Sequence, residues 1–68
     1  MTKKEKILFD LLQEKEFPVD QVWYESNFSW HPNRGWYATD IEGYEYHLGS
    51  DFAKAEGRIK NNEIKAYK

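Results

Sequence analysis

At Pro18 the hydrophobic pattern of the chain changes period, and that change narrows the folds available to it. Before it, Ile7, Leu8, Leu11 and Leu12 recur at i, i+1, i+4 and i+5, set among Lys, Glu, Asp and Gln. This spacing gathers the apolar residues on one stripe of an α-helix. Thr2 and Glu5 have capping-box spacing, in which each side chain can satisfy the other's free backbone N–H, so the helix starts there. Proline cannot continue a helix and disfavours helical geometry at Phe17, which places the end near Glu16.

Beyond Pro18 the pattern turns to β-formers: Val22-Trp23-Tyr24, Trp36-Tyr37-Ala38-Thr39 and Tyr44-Glu45-Tyr46-His47-Leu48. Pro32-Asn33-Arg34-Gly35 reads as a turn between the first two runs. Glu42-Gly43 has the length of a two-residue hairpin loop between the last two. With that loop Ile41 faces Tyr44, Thr39 faces Tyr46 and Tyr37 faces Leu48. Opposed residues share a sheet face. The expected core face is therefore Tyr37, Thr39, Ile41, Tyr44, Tyr46 and Leu48, and the other face carries Trp36, Ala38, Asp40, Glu45 and His47.

A second helix follows, capped by Ser50 or Asp51, with Phe52, Ala55 and Ile59 at i, i+3 and i+7. Gly57 weakens it by about 1 kcal/mol relative to alanine and leaves room for close packing. Asn61-Asn62 reads as its stop, and residues 63–68 alternate weakly. The order is α-β-β-β-α. Two amphipathic helices and one sheet are expected to form an α+β two-layer sandwich, a single domain over residues 1–68, with a three-stranded antiparallel sheet and both helices on one face. The other sheet face is then uncovered.

A chain of 68 residues buries only about 60% of the surface its unfolded form exposes, and this one has no cysteine with which to form disulfides or a thiolate zinc site. Its aromatic content of 18% supplies the core instead. The longest apolar run, Ile7-Leu8-Phe9, is far short of the roughly 20 residues of a membrane span, so no membrane partner is expected. The charged start Met1-Thr2-Lys3-Lys4-Glu5-Lys6 does not resemble a signal peptide, and a cytoplasmic protein is expected. In that setting Asn27-Phe28-Ser29 is a chance match to a glycosylation acceptor.

The formal net charge of −2 hides a division. Glu16, Asp20, Glu25, Asp40, Glu42, Glu45 and Asp51 make the middle acidic against Arg34 alone, and Lys54, Arg58, Lys60, Lys65 and Lys68 make the end basic. The bland reading of such a run is a solvated face. The sharper one starts from the uncovered sheet face, where Trp23 and Trp36 are costly unless something covers them. The Asn27–Gly35 loop, with Phe28 and Trp30, is one candidate cover; a partner is the other. Asp40 and Glu45 stand opposite each other in the expected register, a small penalty that a basic group would relieve.

His47 with Asp40 and Glu45 matches an acid–base cluster, or a metal site, in residue types only, and no compact ligand spacing supports either. His31 has no evident partner. No enzyme activity, cofactor or metal is expected. The α-β-β-β-α order and length resemble those of double-stranded-RNA-binding domains. Those domains present a lysine cluster at the start of the second helix, where this chain reads Ser50-Asp51-Phe52-Ala53-Lys54. The likeness therefore ends at topology.

The leading expectation is a small non-catalytic domain that engages a protein partner through Trp23, Glu25, Trp36, Asp40, Glu45 and His47, whose carboxylates favour a basic one. Weak nucleic-acid binding through Lys54, Arg58 and Lys60 is one alternative, disfavoured by the acidic sheet. A homodimer, or a larger homo-oligomer, formed through the same sheet face is the other.

Overall fold

The computed structural model describes residues 1–26 and 34–65. The elements run α1 (Lys3–Glu14), β1 (Val19–Glu25), β2 (Gly35–Asp40), β3 (Glu45–Gly49) and α2 (Phe52–Lys60). The strands form one antiparallel sheet in the order β1-β2-β3. Leu8 and Leu12 of α1 and Ala55 and Ile59 of α2 are buried in one cluster with Val22, Trp36, Ala38 and Leu48. Both helices thus cover one sheet face, and the fold is the expected α+β arrangement.

Local chemistry sets the helix ends. Thr2 and Glu5 form the capping box: the Glu5 N–H donates to Thr2 Oγ1 at 3.2 Å and the Thr2 N–H to Glu5 Oε1 at 2.9 Å. α1 stops two residues short of Glu16, which takes a left-handed φ of 63°. There the Phe17 N–H reaches back to the Leu12 carbonyl and the Glu16 N–H to that of Gln13, a Schellman closure that turns the Phe17 ring into the core. α2 repeats the device. Asp51 caps its start through the Lys54 N–H at 2.8 Å, Asn62 takes the left-handed position, and the Glu63 N–H returns to the Arg58 carbonyl.

The β2–β3 register departs from the expected one. Thr39 pairs with Glu45, Ala38 with Tyr46 and Tyr37 with His47. The cause is one extra residue in the loop. The Gly43 N–H donates to the Asp40 carbonyl and the Asp40 N–H to that of Tyr44, both at 3.0 Å, while Gly43 sits at φ 93°. This is a three-residue loop, Ile41–Gly43: a type I turn followed by a left-handed glycine. A slip of one residue exchanges the faces of a strand. β3 keeps Tyr46 and Leu48 toward the helices as expected, but β2 turns Trp36, Ala38 and Asp40 inward and Tyr37 and Thr39 outward. Ile41 and Tyr44, expected in the core, lie at the turn, 71% and 50% exposed.

A second irregularity lies at Leu48, where β3 takes two steps to one of β2 between His47 and Gly49. It brings the end of β3 hard against α2. A Cβ added at Gly49 would stand 2.7 Å from the Ala55 backbone nitrogen. Gly57, by contrast, has nothing within 4 Å of where a Cβ would be, so the close packing expected there is found at Gly49 instead.

Candidate functional site

The face away from the helices is built by alternation. Trp23, Tyr37 and His47 are mutual register partners on β1, β2 and β3 and form one row across the sheet. Trp23 and Tyr37 stack with centroids 5.8 Å apart and planes 17° apart, and the His47 ring lies 4.9 Å from Tyr37. Gln21, Thr39 and Glu45 make the next row on one side, and Glu25 stands beyond Trp23 on the other. Trp23 Nε1 points to Glu25 Oε1 at 3.4 Å, the long end of a hydrogen bond.

Burial first, then the fields of Glu45 and Glu25, pushes the Tyr37 hydroxyl above its usual value near 10. Tyr37 itself is buried, at 5% exposure, whereas Trp23 and His47 remain partly exposed. His47 Nε2 is buried without a hydrogen-bond partner among the described residues.

Four of the six expected face residues, Trp23, Glu25, Glu45 and His47, are on this face. Trp36 and Asp40 are not. Trp36 is only 6% exposed, on the helix side, with its ring 6.1 Å from Phe52 and 5.2 Å from Tyr24. Asp40 is 3% exposed and opposes no like charge. It accepts from the Glu42 N–H at 2.9 Å, the Tyr44 N–H at 3.0 Å and the Tyr46 hydroxyl at 2.8 Å. Both corrections follow from the inverted β2. The same inversion separates Asp40 from Glu45 and His47, so the acid–base or metal trio is not assembled. Among the described residues no group of three His, Asp or Glu is placed to hold a metal ion.

Tyr37 is the face residue that the expected register hid. The signal was Asp40-Ile41-Glu42-Gly43, with aspartate at the first and glycine at the fourth position of a type I turn. Expectations for the Asn27–Gly35 loop fall mostly on residues 27–33, with Phe28, Trp30, His31, the first half of the Pro32–Gly35 turn and the glycosylation match. These and residues 66–68 lie outside the described residues.

Asp40 also makes the turn acid-sensitive. Burial raises its carboxyl pKa, but the hydrogen bonds from the Tyr46 hydroxyl and the Tyr44, Glu42 and Gly43 backbone outweigh that and hold it below the usual carboxylate range. A carboxyl depressed in the folded state adds stability above its unfolded pKa of about 3.9, and that stability is lost as pH falls through the folded value. The urea midpoint of the domain should therefore drop below about pH 4, and Asp40→Asn should flatten that part of the profile. An unchanged slope in the variant would show that other carboxylates carry it.

The basic residues of the second helix are largely engaged. Arg58 Nη1 donates to the His47 and Leu48 carbonyls, both at 3.1 Å, and its Nε lies 3.5 Å from Glu63. Lys60 pairs with Glu56 at 3.6 Å, and Lys54 is exposed. Arg58 thus covers the outer edge of β3. Hollows of about 400 and 240 Å³ lie along that edge, and His47, Arg58 and Glu63 line both. No helix among the described residues is long and apolar enough to cross a membrane. Comparison of the chain with protein-family models, curated proteins and solved structures finds no match.

Proposed function

We propose that this is a non-catalytic binding domain that engages a protein partner through the sheet face opposite the helices. The observation that carries the reading is the row Trp23–Tyr37–His47, set between Glu25 and Glu45 on a face that neither helix covers. Tryptophan is favoured at interface hot spots, because a large rigid ring loses little entropy on burial. The two carboxylates favour a basic partner and repel phosphates. Engagement of Arg58 and Lys60 within the domain counts against the nucleic-acid alternative. We take the domain to be cytoplasmic, where a chain without cysteine forgoes no disulfide.

Trp23→Ser combined with Glu25→Lys should weaken partner binding at least about 30-fold, or 2 kcal/mol, as loss of a hot spot does. The variant should still fold cooperatively, with an unfolding temperature lowered by about 4–8 °C for the lost stacking on Tyr37. Undiminished binding by a folded double variant would refute the reading.

A further inference from the structure

The two outer strands of the sheet are not equally available. β3 carries the Arg58 guanidinium on two of its carbonyls, a common protection for a sheet edge. β1 is the longest strand, at seven residues, and among the described residues nothing pairs with its outer side. Alternation identifies the groups it presents. The Asp40 N–H bonds to Tyr44, toward β3, so the backbone groups of Thr39 and Tyr37 turn the other way, to Gln21 and Trp23 on β1. The N–H and C=O of Val22 and Tyr24 then point outward.

This edge is acidic at both ends, with Asp20 exposed at the bulge where pairing begins and Glu25 at the far end. No basic residue lies on the strand, and Trp23 stands beside the edge on the face opposite the helices. We infer that the partner docks by adding an extended strand with basic ends to β1, making main-chain hydrogen bonds to Val22 and Tyr24 and covering Trp23 from the side. The inference rests on the reading of the sheet as a protein-docking surface. A second copy of the chain is a poorer occupant, because β1 against β1 would gather four carboxylates along one seam.

The test titrates the ¹⁵N-labelled full chain with the heptapeptide acetyl-Lys-Thr-Val-Thr-Val-Thr-Lys-amide and two N-methylated forms, with alternate amides blocked in one phase or the other. Strand addition predicts saturable binding below about 1 mM and slowed hydrogen exchange at the Val22 and Tyr24 amides. One methylation phase should abolish binding while the other leaves it within about threefold, since only alternate amides face β1. Asp20→Asn with Glu25→Gln should weaken binding up to about tenfold.

Equal tolerance of both phases, no binding up to about 1 mM, or protection of Val22 and Tyr24 by raising protein concentration alone would each overturn the inference. Shifts at Trp23 and His47 without edge protection would overturn strand addition and leave the face reading standing. Shifts confined to the helices or to β3's edge would overturn both.

Discussion

Trp36→Ser is expected to destabilise the domain by about 3–5 kcal/mol, the range for removing a large aromatic from a core. The ring lies between Phe52 of α2 and Tyr24 of β1, within the cluster that joins the helices to the sheet. Serine there leaves a cavity and a hydroxyl that must find a partner. Domains of this kind are stable by only about 5–15 kcal/mol, so urea denaturation should show a large shift of midpoint, or no folded baseline. Trp23→Ser should cost about 1 kcal/mol, mainly its stacking on Tyr37. Equal losses for the two tryptophans would mean that the faces of the sheet have been assigned wrongly.

Gly49→Ala should cost about 3 kcal/mol for a single added methyl. The new Cβ would meet the Ala55 nitrogen at 2.7 Å and the Ala55 Cα at 3.1 Å. Both are backbone atoms of α2, so no side chain can swing away and the helix itself has to move. Gly57→Ala is the matched control. It lies inside α2 with open space around it and should gain about 1 kcal/mol from helix propensity alone. Thermal unfolding of the two variants separates packing from propensity. A Gly49→Ala protein as stable as wild type would show that the end of β3 is not held against α2.

Much of the architecture was legible in the residues. The helices announced themselves through Thr2-x-x-Glu5, the Ile7–Leu12 stripe and the Asp51 cap, because helical periodicity and caps are local. Strand existence was also legible, from the runs around Trp23, Tyr37 and Tyr46. The facing of β2 was not, because both of its sides read as plausible interiors. Trp36, Ala38 and Asp40 contain one charge, and Tyr37 and Thr39 contain none.

The choice between those sides was made by the loop. Glu42-Gly43 fits a two-residue turn, but Asp40 at the head of Asp40-Ile41-Glu42-Gly43 accepts from two backbone N–H groups that a two-residue loop would not present. An aspartate that looked like an exposed recognition charge is a turn-former held by the Tyr46 hydroxyl. Arg58 was likewise hidden: its partners are main-chain carbonyls ten and eleven residues earlier, which no side-chain pattern reveals.

The central claim, that the sheet face opposite the helices is the docking surface, can be tested by photocross-linking in cells. Benzoylphenylalanine would replace Gln21, exposed beside Trp23 on the face opposite the helices, or Ile7, exposed on α1. Covalent adducts with a partner protein from position 21, and none from position 7, are the predicted result. Adducts from position 7 with none from position 21 would contradict the account.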